Sequence, residues 1–210
     1  ELDPESTRTR LFLGRLYNLR RDFAGLDRVL RDADGEPLDA DAAFALHQVA
    51  LERGDLAEAE AMARKLMALE PDQLRGRLGL VAVLEQNKRY DEAETVVREG
   101  LREFPGHFLL YMRLAQIEHV RGDRPGEIAI YRELLEKHPN HYGVLQRLGQ
   151  AQIDANDVAG AIETYTQIVD AYPEDLNSLR RLASLEFAAG RFESAAVRLD
   201  GEAVAVAPRS

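Results

Sequence analysis

The sequence contains no cysteine and no tryptophan, and only three of its 27 basic residues are lysine. Without cysteine there is no disulfide framework, no thiolate nucleophile and no cysteine-ligated zinc site. A cysteine-free chain suits the cytoplasm and the periplasm alike, so the composition leaves the compartment open. The bias toward arginine is typical of GC-rich genomes, and we expect a bacterial origin on that association alone.

Basic residues are also outnumbered by acidic ones, and the formal net charge is −10. A surface that binds nucleic acid needs a basic excess or a basic stripe, so we expect no nucleic-acid ligand. Docking on an anionic membrane surface is disfavoured for the same reason. The longest apolar run, residues 78–84, is far too short to cross a bilayer, which predicts no direct membrane insertion.

Motifs for catalysis are missing as well. No Ser/His/Asp arrangement has a supporting motif, and no glycine-rich phosphate loop is present, so we expect neither an enzyme nor a cofactor. His138 and His141 flank a turn at a metal-like spacing, but zinc needs at least three protein ligands and no third one is evident. The pair is therefore interpreted as polar turn residues.

The chain is organised by a repeat of 34 residues. Four prolines mark the period, and leucines and alanines return at the same spacing between them. The residues that mark it are Pro71, Pro105, Pro139 and Pro173, then Leu80, Leu114, Leu148 and Leu182, then Ala59, Ala93 and Ala161. A period of this length is typical of stacked-repeat architectures, in which each unit buries its apolar face against its neighbours.

Each period contains two apolar patterns at helical spacing, separated by a turn signal. Gly54-Asp55 shows the logic: glycine just past a helix end is the expected stop, and aspartate is the expected cap of the next helix. The period then closes on proline, which cannot continue the second helix. The pattern therefore predicts helix, tight turn, helix, proline.

In this pattern the chain closely resembles the tetratricopeptide repeat family. Residues 142–175 are the best copy, with the family's residue types at Leu145, Leu148-Gly149, Ala161, Tyr165 and Pro173. Other copies depart from it, with Arg77 at an apolar position and Glu127 where alanine is usual. The resemblance implies an all-α, right-handed superhelical solenoid of about six antiparallel helix pairs, with the first helix of each pair on the inside.

The domain organisation follows from the same register. Residues 1–39 are interpreted as a degenerate N-terminal helix pair. Five tandem repeats are then expected in one continuous solenoid domain, at 40–73, 74–107, 108–141, 142–175 and 176–209.

The resemblance also implies a candidate binding surface, because the family's inner side chains come from fixed positions of each first helix. Carried onto this chain, the peptide-binding groove comprises Phe44, Gln48, Leu78, Met112, Arg113, Gln116, Gln146, Arg147, Gln150, Arg180 and Arg181. Arg113, Arg147 and Arg181 recur at the repeat spacing and form what we call the arginine ladder. It either meets acidic groups of a bound peptide or pairs with neighbouring carboxylates such as Glu118, Asp154 and Glu186.

The C-terminal helix is unusually apolar for the end of an array. Its apolar residues are Ala195, Ala196, Val197, Leu199, Ala203, Val204 and Val206. Terminal repeats normally present a polar outer face. We expect this helix to be covered by a further repeat or by a second copy in a homo-oligomer. Since the chain also opens at Glu1 without an initiator Met or a signal-like segment, we expect it to be part of a larger protein.

Two functions are compatible with these features. The first is a non-catalytic scaffold that binds a peptide or protein segment in the concave groove. The alternative is a structural spacer or self-assembling segment of a bacterial envelope, export or polysaccharide-secretion assembly. Both imply protein partners, in the cytoplasm or the periplasm.

Overall fold

The computed structural model describes residues 6–198. This part of the chain is built from α-helices joined by short turns, and it contains no β-strand apart from one isolated bridge between Arg31 and Pro37. The predicted all-α fold of antiparallel helix pairs is confirmed. The described helices group into two compact units, unit 1 up to Pro105 and unit 2 from Gly106. One solenoid domain with the predicted repeat limits stays a prediction.

Unit 1 contains three helix pairs. Their bounds are α1 Thr7–Leu19, α2 Phe23–Leu30, α3 Ala40–Arg53, α4 Leu56–Leu69, α5 Leu74–Gln86 and α6 Tyr90–Glu103. Each helix packs on the next in the chain, and α1 also packs on α3 and α3 on α5. The first helices of successive pairs therefore lie side by side.

Unit 2 also consists of helix pairs. Its helices are α7 Phe108–Arg121, α8 Arg124–Lys137, α9 Tyr142–Asp154, α10 Val158–Ala171 and α11 Leu176–Ala188, followed by helical residues 192–198 at the end of the described part. Consecutive helices from α7 to α11 pack on one another. None of the described helices of either unit is long and apolar enough to cross a membrane.

The turn chemistry read from the sequence sets the helix bounds. The side chains of six aspartates each accept a hydrogen bond from the backbone N–H three residues later, which caps the helix that follows. These are Asp22, Asp39, Asp55, Asp123, Asp157 and Asp175. Gly54 and Gly122 end α3 and α7 in the left-handed region, with φ of 72° and 78°, a conformation that glycine adopts without strain.

The core of each unit runs between its helix layers. In unit 1 it includes Leu26, Leu30, Leu46, Val49 and Met62. In unit 2 it includes Leu145, Ile162, Tyr165, Ile168 and Leu182. Leu145, Tyr165 and Leu182 are repeat-position residues of the sequence pattern, so the period that predicts the fold also supplies part of the core.

Candidate functional site

A groove of about 620 Å³ lies between α1 and α3 in unit 1, and we call it the α1–α3 groove. Two residues predicted for the binding surface, Phe44 and Gln48, line it. Its apolar lining comes from Leu11, Gly14, Leu26, Leu30, Ala45 and Val49. The third predicted residue of unit 1, Leu78, is half-buried on α5 and does not line the groove.

The other wall of the groove is α1, which the sequence predicts only as part of a degenerate pair and not as part of the binding surface. The polar and aromatic residues that α1 contributes are Arg8, Phe12, Arg15 and Asn18. A signal for them was present in the sequence. Aligning Gly14 with Gly149 matches Phe12 to Arg147 and Arg15 to Gln150, so α1 presents the same inner positions as the later repeats.

The charged residues of this groove differ in whether they have a hydrogen-bond or ion-pair partner. Glu52 accepts a hydrogen bond from the Asn18 amide at 2.7 Å. Arg8 and Arg15, by contrast, make no hydrogen bond or ion pair with another described residue. Within the described part of the chain, the groove therefore offers two guanidinium groups that have no carboxylate partner, beside an apolar floor.

The Arg75 side chain, on α5, is bound by carboxylates of unit 1. Its guanidinium donates to Glu70 at 2.5 Å and to Asp41 at 2.8 Å, and it lies 5.5 Å from the centre of the Phe44 ring. Hydrogen bonds to Glu70, and then to Asp41, raise the pKa of Arg75 above its ordinary value despite partial burial. This cation lies over the Phe44 ring and is already compensated by two carboxylates.

A second, smaller pocket of about 120 Å³ lies on the first-helix side of unit 2. It gathers three predicted residues, Gln116, Arg147 and Gln150, together with His119, Glu127, Tyr131, Ala151 and Asp154. Repeat position alone thus brings three of the predicted residues to one pocket. The other lining residues come from the end of α7, from α8 and from α9. The residues of α8, Glu127 and Tyr131, lie on a second helix, so the inner positions of first helices do not predict them.

Glu127 is the buried charge of this pocket, with 4% of its surface exposed. It accepts a hydrogen bond from Arg124 at 2.7 Å, and its carboxylate lies 3.1 Å from His119 Nδ1. Burial raises the pKa of Tyr131, the negative charge of Glu127 raises it further, and Arg147 opposes the shift through its charge and a hydrogen bond. The pocket therefore sets a buried carboxylate and a guanidinium on the same tyrosine.

Gln146, another predicted residue of unit 2, is held in a polar network between α9 and α11. Its amide donates to the Tyr142 hydroxyl at 2.7 Å, and that hydroxyl donates to Asp175 at 2.8 Å. Because Asp175 also caps α11, the network ties the first helices of two successive pairs together.

The other predicted residues of unit 2 differ in exposure and in partners. Within the arginine ladder, Arg181 donates to the Gln150 amide oxygen at 3.3 Å. Met112 and Arg113 are half-buried, whereas Arg180 is exposed. Arg181 therefore links the ladder to the neighbouring amide, between α9 and α11.

The carboxylates considered as partners of the arginine ladder have other bonds. Glu118 accepts from Arg121 at 3.3 Å and Glu186 from Arg198 at 2.9 Å. Asp154 accepts from the Gln150 amide at 2.7 Å. These carboxylates are therefore engaged by groups outside the ladder, and the ladder's role stays a prediction.

The two histidines singled out by spacing lie against an aromatic ring. The His138 ring packs edge-on to Phe108 with the ring centres 5.8 Å apart, and His141 lies 4.8 Å from it. Within residues 6–198, no group of three or more His, Asp or Glu side chains converges as metal ligands would.

Comparison with protein families decides the classification. Models of the tetratricopeptide repeat match residues 50–117 and 147–208, which together are more than half of the chain. The chain belongs to the tetratricopeptide repeat family. No curated protein matches it in sequence.

Solved structures of other tetratricopeptide proteins share the fold. MamA (residues 41 to the end) from Desulfovibrio magneticus RS-1 is 19% identical, with a TM-score of 0.59 over 77% of this chain and 92% of that one. TTC0263, a thermophilic TPR protein in Thermus thermophilus, is 22% identical, with a TM-score of 0.52 over 87% and 100%. YrrB, described as a TPR protein with an unusual peptide-binding site, is 15% identical, with a TM-score of 0.56 over 77% and 84%.

Proposed function

We propose that this chain is a non-catalytic scaffold that binds a segment of a partner protein on the faces formed by its first helices. Members of the family are protein-interaction modules. The observation that carries the proposal is that residues at the family's inner positions line an open depression in each unit. Phe44 and Gln48 do so in unit 1, and Gln116, Arg147 and Gln150 do so in unit 2.

The chemistry of these depressions suits a polypeptide ligand. The α1–α3 groove combines an apolar floor with arginines and amides, and side-chain amides match the donors and acceptors of a peptide backbone. Preformed helix faces give up little conformational entropy on binding, so many modest contacts can sum to useful affinity. We propose that such a scaffold is part of a larger bacterial protein.

Binding of selected peptides tests this proposal. Short random peptides displayed on phage are selected on the purified chain, and their affinity is then measured by fluorescence anisotropy. Phe44→Ser with Gln48→Ala alters the face in unit 1, and Arg147→Ala with Gln150→Ala alters the face in unit 2. We expect at least one of these pairs to weaken binding about tenfold or more, as loss of a binding hot spot does.

The matched control changes exposed residues of second helices, Arg102→Ala with Glu163→Ala, and should leave affinity unchanged. Thermal unfolding of each variant checks that it folds. Selected peptides that bind both first-helix variants as tightly as the wild type would contradict the proposal, and so would a selection that yields no binder.

A second candidate function, a self-assembling or spacer segment of a bacterial envelope, export or secretion assembly, is favoured by the exposed aromatic pair at the end of unit 2. Phe187 and Phe192 are 64% and 58% exposed, with their ring centres 5.1 Å apart. Val197 on the last described helix is exposed as well, whereas Ala195 is buried. The remaining residues expected to form an apolar end, from Leu199 onward, lie outside the described part of the chain.

A further inference from the structure

We propose that the α1–α3 groove selects a protein segment in which an apolar side chain stands between two acidic residues. The apolar side chain enters the groove beside Phe12 and Phe44, and the acidic residues pair with Arg8 and Arg15. This inference rests on the proposed function and names the chemistry of the ligand that unit 1 prefers.

The apolar part of the argument comes from an aromatic residue in the wall of the groove. Phe12 lines the groove and is 59% exposed, although it lies on the helix face that looks toward α3. Leu26 and Leu30 close the floor beneath it. A side chain such as leucine or phenylalanine that fills this space would remove apolar surface from water on both partners, which is the main source of affinity in buried hot spots.

The acidic part of the argument comes from the two arginines. The chain has an excess of acidic residues, 37 against 27 basic ones, and arginines such as Arg31, Arg75 and Arg89 each engage two carboxylates. Arg8 and Arg15 engage none among the described residues, although they line a groove. Guanidinium groups bind carboxylates in bidentate geometry, so these two are matched to acidic side chains of a ligand.

The spacing of the arginines sets the spacing of the acidic residues. Arg8 and Arg15 are two helical turns apart on α1, which is roughly 10 Å. In an extended polyproline II segment, residues three apart share one side and lie about 9 Å from each other. The preferred ligand therefore has acidic residues at i and i+3 with the apolar residue between them. Gln48, whose amide has no bond to another described residue, faces the same groove and can pair with the ligand backbone.

A nucleic acid is disfavoured as the occupant. Phosphate backbones need a row of cations, and this groove supplies two beside Glu52, on a chain of net charge −10. The proposal therefore commits to a protein segment, and an oligonucleotide enters the experiment as a competing probe.

The test uses the full chain and a synthetic peptide set in one polyproline-rich frame. The members carry Glu, Gln or Lys at i and i+3 and Leu or Ala between them, and affinities are measured by fluorescence anisotropy at low and high salt. We expect the Glu/Leu peptide to bind about tenfold more tightly than the Gln/Leu and Glu/Ala peptides, and salt to reduce the preference for Glu.

Variants assign the preference to the groove. Arg8→Gln with Arg15→Gln should abolish the preference for Glu over Gln. Both positions are exposed, and neither guanidinium group has a hydrogen bond or ion pair with another described residue. The control, Arg28→Gln with Arg102→Gln, removes the same charge from exposed second-helix positions of unit 1 and should keep the preference.

The outcomes separate this inference from the proposed function. Equal affinity for Glu and Gln peptides, or a preference for Glu that survives in the Arg8/Arg15 variant, overturns the inference. If phage-selected peptides still bind the Phe44/Gln48 or Arg147/Gln150 variant more weakly than the wild type, the proposed function stands even though this inference fails. Tighter binding of single-stranded oligothymidine than of the Glu/Leu peptide, lost in the Arg8/Arg15 variant, also overturns it, in favour of a phosphate ligand.

Discussion

Gly149 lies directly against the ring of Tyr165, across the contact between α9 and α10. A Cβ atom at residue 149 would stand 2.7 Å from Cε2 of Tyr165, closer than real Cβ atoms approach other groups. The tyrosine ring is buried and belongs to the core of unit 2. The two helices therefore approach as closely as they do because residue 149 has no side chain.

Gly149→Ala should destabilise the chain by about 1–3 kcal/mol, because the added methyl group forces a buried ring to move in a packed core. The same helix provides the control. At Gly143 the nearest atom to an added Cβ is 3.6 Å away on His141, an ordinary contact, so Gly143→Ala should be neutral or stabilise by about 0.5–1 kcal/mol. Urea unfolding measures both, and equal effects at the two positions would refute the packing argument.

This contact illustrates what the repeat predicts well. The repeat places Leu148-Gly149 and Tyr165 at fixed family positions, and the structure shows the small residue of one helix against the aromatic residue of the next. The helix stops and caps at Gly54-Asp55 and at Gly122-Asp123 also follow from local chemistry that acts within four residues. Features that depend on backbone geometry and a fixed period are therefore readable from the sequence.

Polar partners are less predictable, because a period places a residue on a face without choosing its partner. Glu186 was considered for the arginine ladder, but Arg198 reaches it at 2.9 Å. Long side chains have several charged groups within reach, and small differences in burial select among them. The groove residues Phe12 and Arg15 were missed for another reason, since the spacing between α1 and the later repeats departs from the period.

The buried arginine of unit 1 tests how much a departure from the family pattern costs. Arg77 is 7% exposed, donates to Glu103 at 2.5 Å and to the Val96 carbonyl at 3.3 Å, and stands where the family has an apolar residue. Arg77→Ala should destabilise by about 2–4 kcal/mol, since it removes both packing and the bonds. Arg77→Leu should recover most of that loss, because leucine restores much of the packing and the half-exposed Glu103 stays hydrated when its partner is removed.

Urea unfolding of the two Arg77 variants at neutral pH gives the comparison. Glu103 is half exposed, so Glu103→Gln should cost less than Arg77→Ala and its effect should shrink in high salt. A Leu variant as unstable as the Ala variant would show that the bonds to Glu103 and Val96 dominate over packing.

Asp39 links stability to pH. Burial alone would raise its pKa, but hydrogen bonds from the Ala42 N–H and from Thr7 and Arg10 outweigh burial, and the pKa of Asp39 lies below its ordinary value of 3.8. A carboxylate whose pKa is lowered by folding adds stability above its unfolded pKa, and this part is lost as pH falls through the folded pKa. Acid below about pH 4 should therefore weaken the start of α3.

The variant Asp39→Asn keeps a capping residue but loses the charge. It should be less stable than the wild type by about 0.5–1 kcal/mol at neutral pH, and the difference should vanish as pH falls below the folded pKa of Asp39. Asp72→Asn, in an exposed turn, controls for the loss of one negative charge. A difference that stays constant from neutral pH to acid would contradict the linkage.

The exposed pair Phe187 and Phe192 should decide between the two candidate functions. If the chain self-assembles through this end, sedimentation over a concentration series should show association, and Phe187→Ser with Phe192→Ser should abolish it because the apolar contact is lost. Val120→Ser, at another exposed apolar position, should leave association unchanged. A monomer at all concentrations would count against self-assembly and would favour the peptide-binding scaffold as the function of the chain.

Tyr131 reports the electrostatics of the pocket in unit 2. Burial and then Glu127 raise its pKa, whereas Arg147 lowers it, so the two charges act on the same hydroxyl with opposite sign. Glu127→Gln should move the Tyr131 titration to lower pH, and Arg147→Gln should move it to higher pH. Both shifts can be measured by NMR on protein whose tyrosines carry ¹³C at Cζ, and the Tyr131→Phe variant identifies the Tyr131 signal. Shifts of the same sign in the two variants would mean that a general loosening, rather than the two charges, controls this site.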